Sequence, residues 1–145
     1  MEVIILNSKQ LYNFLKSTLP FNSFSLFMHV LTEPYISFLA GLPKVIRAAS
    51  EIFLDKEKEK VNNYAVKILR DAGYSVYYVR KLHGKVIVIG SKPDYIVIGT
   101  SNLTSRSLSN YEAIVVIKNP SKDVVDSLTT YFIKPVKQAA YTPIQ

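Results

Sequence analysis

Apolar residues fall into two rhythms along this chain. EVIIL (2–6), KVIVI (85–89), YIVI (95–98) and AIVVI (113–117) are short unbroken runs, apolar on both faces, and predict buried strands. NSFSLFMHVL (22–31) alternates loosely and YSVYYV (74–79) does so again, so both read as strands. Elsewhere the spacing lengthens to the helical period. SKQLYNFLKSTL (8–19) places Leu11, Phe14 and Leu15 on one face. KEKEKVNNYAVKILRDAG (56–73) does the same with Val61, Tyr64, Ala65, Ile68 and Leu69, and Gly73 supplies a C-cap. EPYISFLAGL (33–42) predicts a short helix with Pro34 in its first turn, and NPSKDVVDSLTTYFIK (119–134) a closing helix with Ser121 as N-cap. KVIRAASEIFLD (44–55) fits either rhythm, its second half favouring strand.

This order of elements predicts a single α/β domain over 1–134, a mixed β-sheet flanked by helices on both faces. The tail PVKQAAYTPIQ (135–145) is expected to be loosely ordered or used in dimer contacts. With 145 residues, 48% of them hydrophobic, the chain is long enough for a sizeable core.

Charge narrows the partners. A formal net charge of +7 favours a polyanion, either nucleic acid or an anionic membrane surface. The chain has no cysteine, which excludes disulfides and thiolate metal sites. The N-terminal segment MEVIILNSKQLYNFLK lacks a basic start and a long apolar run, so no signal peptide is expected. No run reaches the ~18 apolar residues of a membrane span. A cytoplasmic protein with no membrane partner is the expectation.

GSKPD (90–94) is rich in turn formers and joins two strands into a hairpin. A symmetric register pairs Ile89 with Tyr95, Ile87 with Val97 and Lys85 with Gly99, which carries His83 opposite Ser101. The pairing thus gathers His83, Lys85, Thr100, Ser101 and Asn102 at one end, a candidate anion site. Gly99 allows close backbone approach, and a short helix after it would offer free N–H groups to a phosphate. Taken singly these signals are weak. A lone histidine at a strand start is usually structural, H-x-K by itself says almost nothing, and Gly-Thr-Ser-Asn is usually just a turn. The weight lies in their order and register.

HGK (83–85), two apolar strands, GTSN (99–102) and then NYE (110–112) before AIVVI resemble the phospholipase D superfamily. In that family H-x-K, a glycine-small-x-asparagine turn and a later glutamate make one half-site. The arrangement over 1–134 is similar to its single-copy, metal-independent nucleases. One position departs: the aspartate the pattern carries five residues after the lysine is Gly90 here, and Asp94 lies in a longer loop. That aspartate is understood as structural, so its loss bears on loop geometry more than on chemistry.

The resemblance implies a phosphodiesterase in which His83 attacks phosphorus and forms a phosphohistidine. A second copy's His83 protonates the leaving oxygen and then activates water. It further implies that Lys85 and Asn102 hold phosphate oxygens with help from Thr100 or Ser101, and that Glu112 orients the imidazole. Only one such motif is present; His29, in LFMHVL, has no lysine two residues on and reads as a core or edge histidine. Two histidines therefore require a homodimer with a shared site, and one must act neutral while the other acts protonated, so a bell-shaped pH profile is expected. No metal and no other cofactor is expected.

Around the motif, Arg80, Lys81, Lys92 and Arg106 are placed to follow a DNA or RNA backbone, and Tyr77, Tyr78 and Tyr111 are candidates to stack on bases, sheet packing being the competing role for the tyrosines. Two other readings stay open: a non-catalytic basic dimer that binds nucleic acid through a decayed site, and a lipid phosphodiesterase. The second is weaker because such enzymes carry two motifs in a longer chain.

Overall fold

The structure is a computed structural model, and it describes residues 1–140. Its strands and helices alternate in the order the two rhythms predict. β1 (Glu2–Leu6) leads into α1 (Ser8–Thr18), whose start is fixed by a capping box. Asn7 Oδ1 accepts from Gln10 N at 2.9 Å, and Gln10 Oε1 accepts from Asn7 N at 2.9 Å. β2 (Phe24–Met28), α2 (Tyr35–Ala40), α3 (Lys44–Ala48) and β3 (Glu51–Asp55) follow. The ambiguous 44–55 stretch is thus a short helix and then a strand. α4 (Glu59–Asp71) ends at Gly73, whose φ of 102° suits a residue without Cβ. β4 (Ser75–Val79), β5 (Val86–Ile89), β6 (Tyr95–Gly99) and β7 (Ile114–Lys118) complete the sheet.

The chain closes with α5 (Lys122–Leu128) and α6 (Lys134–Ala139), joined by a π-helical turn, Thr129–Ile133. Pro135 has no N–H to give to the preceding turn, which accounts for the widening just before it. The closing helix therefore runs past 134. The part of the expected loose tail up to Ala139 is helical, and Val136 packs against the core; residues 141–145 lie outside the described residues.

All seven strands form one sheet, in the order β1-β7-β6-β5-β2-β3-β4. β2, β3 and β4 are parallel, while β5, β6, β7 and β1 are antiparallel neighbours, and the halves meet where β2 pairs antiparallel with β5. The hairpin register is the expected one, Ile89 to Tyr95 and Ile87 to Val97.

One face carries α1, α2 and α4 over a continuous core that includes Leu15, Leu26, Leu39, Ile52, Leu69, Ile87 and Val116. The other face is covered unevenly. Tyr77, Phe53 and Phe27 stack across neighbouring strands with centroids 4.8 Å apart at each step, and Phe132 of the π-helical turn meets Phe27 edge-on at 5.3 Å. Toward β1 that helix no longer reaches the sheet. Val3, Ile5 and Ile98 are 56%, 63% and 38% exposed, so the helical cover expected on both faces is only partial here. Among the described residues, no helix is long and apolar enough to cross a membrane.

Candidate active site

The registers bring five strand ends to one edge of the sheet. Phe27 near the end of β2 pairs with Val86 at the start of β5; Val86 pairs with Ile98 near the end of β6; Gly99 pairs with Ile114 at the start of β7. β3 ends beside β2, since the two are parallel. The loops leaving these ends carry the candidate chemistry, as expected at the carboxyl ends of parallel strands.

His83 lies on the irregular connection from β4 to β5. Its neighbour Leu82 is 3% exposed and anchors that connection in the core, while His83 itself is exposed. Between His83 and Lys85 a glycine is needed, because a Cβ at Gly84 would sit 2.4 Å from the Phe132 ring. The closing helix therefore buttresses the H-G-K stretch from beneath. Lys85 Nζ donates to the His83 carbonyl at 2.9 Å.

His29 proves to be part of this site. It follows β2 directly, is buried, and its ring lies against that of His83 with centroids 4.1 Å apart and planes 31° apart. His29 Nδ1 faces two acceptors, Asp55 Oδ2 at 2.9 Å and the Leu82 carbonyl at 3.1 Å. Neither can donate with the carboxylate ionised, so the Nδ1 nitrogen carries the proton. Asp55 is 1% exposed at the end of β3, and its Oδ1 accepts from Glu57 N at 3.1 Å. Asn62, fully buried in α4, ties the pieces together: its Nδ2 donates to the His29 carbonyl at 3.0 Å and the Asp55 carbonyl at 3.2 Å. Its Oδ1 accepts from Leu31 N at 3.1 Å. Sequence reasoning left His29 in the core or at an edge and gave Asp55 and Asn62 no role. The signal available was that His29 and Asp55 each sit at the carboxyl end of a strand in the parallel half.

His29 is poorly placed as the second histidine of an in-line displacement. A ring stacked on the nucleophile lies on the attacking side of phosphorus, whereas the leaving oxygen departs on the far side.

Asn102 comes to the same place from the other half. Its Oδ1 accepts from Val30 N at 3.1 Å, next to His29, and that fixes which way the amide points. Its NH₂ group then faces away from the Val30 bond, with two donors available for an oxyanion. A parallel bridge between Leu31 and Leu103, with Thr32 N donating to Leu103 O at 2.9 Å, holds the two loops together.

Thr100 and Ser101 have other engagements. Thr100 Oγ1 donates to Glu112 Oε2 at 3.1 Å and accepts from Ala113 N at 3.1 Å. Ser101 is 3% exposed and donates to the Asn102 carbonyl at 2.8 Å, so it shapes the turn rather than reaching toward a ligand. Glu112 is accordingly held by Thr100, and the carboxylate beside an imidazole is Asp55. The phosphate-binding helix expected after Asn102 is a single 3-10 turn, Ser107–Ser109, and its Ser107 N–H is taken by Thr104 Oγ1 at 3.0 Å. Arg106 caps that turn, exposed, and shares with Asn102 a cleft of about 460 Å³. Arg80 and Lys81 are exposed on the turn before His83.

Gly90 sits at the opposite end of the hairpin, with φ at +89°, and a Cβ there would meet Asp94 Oδ2 at 2.0 Å. The Asp94 carboxylate thus occupies the space a side chain at position 90 would take, and Asp94 N donates to Ile89 O at 2.8 Å to close the turn. Among the tyrosines, Tyr77 is spent in the aromatic stack and Tyr78 is buried; Tyr111 is fully exposed.

The family model described as "Cardiolipin synthase, PLD-like domain" matches residues 4–135. The chain belongs to the phospholipase D-like family. Its fold is that of phospholipase D-like proteins of known structure. Nuc from Salmonella typhimurium, described as a phospholipase D family member, superposes with a TM-score of 0.76 at 18% identity, over 97% of this chain and 96% of Nuc. NucT from Helicobacter pylori gives 0.69 at 11% identity, over 97% of this chain and 98% of NucT. Yeast tyrosyl-DNA phosphodiesterase gives 0.51 at 11% identity, over 94% of this chain and 40% of that one. No curated protein sequence matches significantly.

Proposed function

We propose that this phospholipase D-like chain is a metal-independent phosphodiesterase that cuts DNA or RNA, with its site shared by two copies of the chain. The observation that carries the reading is the convergence of His83, Lys85 and the free NH₂ of Asn102 at one sheet edge, in the order of the family motif. A His83 ring nitrogen attacks phosphorus, the bond to the leaving oxygen breaks, and that oxygen takes a proton from His83 of the second copy. Water then gives up a proton to that same histidine, attacks phosphorus and breaks the P–N bond, which frees His83. Lys85, released from the His83 carbonyl, and Asn102 meet the phosphoryl oxygens.

Three features support a nucleic-acid substrate and a dimer. The net charge is +7, and Arg80, Lys81 and Arg106 are exposed on the loops around the site. Yeast tyrosyl-DNA phosphodiesterase, whose name places it on DNA, shares the fold. The open apolar strip of Val3, Ile5 and Ile98, continued by Tyr131 at 83% exposure, suits a second copy, and Ile98 carries it to the site edge. A decayed, purely binding role draws support from one contact, Glu112 engaged by Thr100 instead of an imidazole.

The deciding experiment is incubation with labelled DNA and RNA in excess EDTA. Cleavage by the wild type that vanishes in His83→Ala sustains the reading, and tight binding without cleavage at any pH replaces it with the decayed one. A species that sediments as a monomer while active overturns the shared site.

A further inference from the structure

The geometry points to a divalent transition-metal site made by His29, Asp55 and His83, whose occupation switches off the phosphodiester chemistry. One ligand atom from each residue lies within 4.8 Å of the others. Two imidazoles and one carboxylate form a donor set suited to Zn²⁺ and Co²⁺, with a fourth position left for water.

A second observation aims at a cation. Asp55 is 1% exposed, and its Oδ2 accepts no hydrogen bond although it stands 2.9 Å from His29 Nδ1. The reason is a shortage of protons: Nδ1 has one, and the Leu82 carbonyl at 3.1 Å competes for it. A buried carboxylate oxygen without a donor is costly. A metal ion in place of that proton would satisfy Oδ2 and Nδ1 together, with the displaced proton released to solvent. Asn62, bonded to the carbonyls of both His29 and Asp55, holds the two ligands in position whether or not the ion is present. His83 supplies the third ligand from the exposed side by turning its ring off the face of His29, since a stacked ring does not aim its in-plane lone pair at the same ion. The site fills without opening the core.

The consequence for activity rests on the nucleophile role proposed for His83; the site itself does not. An imidazole that gives one nitrogen to a metal keeps its other nitrogen protonated near neutral pH. No lone pair is then left to attack phosphorus. Zn²⁺ would therefore be a reversible inhibitor of an enzyme that needs no metal to work.

The test is a titration of metal-stripped protein with Co²⁺, followed by its visible d–d absorption and by calorimetry, with Zn²⁺ as competitor. One equivalent with the intense bands of tetrahedral Co²⁺ is expected, displaced by Zn²⁺. Affinity should fall at least about tenfold in His29→Gln and in Asp55→Asn. Because a change at Asp55 endangers the core, His83→Gln at the exposed position is the second variant and should weaken binding while the melting temperature stays put. Asn102→Ala, which touches no ligand atom, should bind Co²⁺ as the wild type does. A dissociation constant above about 1 mM, octahedral spectra with several equivalents, or an affinity unchanged in His83→Gln would overturn the site. Activity is measured separately: Zn²⁺ should inhibit cleavage at the concentration that fills the site, and EDTA should restore it. Filling without inhibition would overturn the switch. If the protein proves not to cleave nucleic acid at all, the Co²⁺ titration still decides the site.

Discussion

The two halves of the sheet contribute to the site in opposite ways. The antiparallel half, β5 to β7, places His83, Lys85 and Asn102 at one edge, His83 exposed and the other two half-buried, where the proposed function puts the phosphate. The parallel half, β2 and β3 with α4 packed across them, supplies His29, Asp55 and Asn62, all buried and bonded mainly to one another or to backbone. One half holds the groups that would react. The other sets where the reacting ring stands, through a 4.1 Å ring contact and a carbonyl bond to Leu82. This chain thus keeps its sequence motif in one half of the sheet and the buried groups packed against it in the other.

Substitutions should separate the halves, from the largest effect to the smallest. His83→Ala should lower cleavage at least about a thousandfold, as for loss of a nucleophile, while urea unfolding stays as in wild type. A substantial loss of stability instead would show that the exposed edge is structural too. Asp55→Ala should act the other way round and cost about 1–3 kcal/mol of unfolding free energy, the penalty for leaving the Glu57 N–H and His29 Nδ1 without that acceptor in the core. Chemical denaturation measures it, and wild-type stability would erase the distinction between the halves. Asn102→Ala should reduce kcat about a hundredfold, the scale for one oxyanion donor, with a smaller stability loss from the Val30 bond.

Gly84→Ala probes the seam between the halves. The added methyl meets Phe132, so a loss of about 1–3 kcal/mol is expected, read as a lower thermal midpoint, with Phe132→Leu in the same chain restoring part of it. The smallest effect concerns the core behind the parallel half. Burial pushes the Tyr35 phenol up to about 12. Its folded pKa lies above the unfolded value of about 10, so its contribution is complete below pH ~10 and is lost as pH rises toward ~12. The urea midpoint should fall over that window. Tyr35→Phe should lessen the fall at no cost at pH 7, because the Tyr35 hydroxyl has no hydrogen-bond partner to lose.

What the sequence determined by itself was local. Apolar runs and helical periods are short-range signals, and they located every strand and the long helices; the symmetric GSKPD loop was enough to set the register that draws Lys85 to Gly99. The motif was legible for the same reason, since its parts lie on one hairpin and the strand after it. His29 and Asp55 are 26 residues apart, on strands that become neighbours only when the parallel half assembles, and no spacing rule links either of them to His83. Tertiary structure alone decided that a histidine resembling core filler would stack on the motif histidine, because the parallel pairing of β2 with β3 and the turn at Leu82 bring His29, Asp55 and His83 to one sheet edge. Tertiary structure also turned Glu112 toward Thr100, put the Asp94 carboxylate in the space above Gly90, and left the strip from Val3 to Ile98 uncovered. In each case packing chose among partners that the sequence left equally possible.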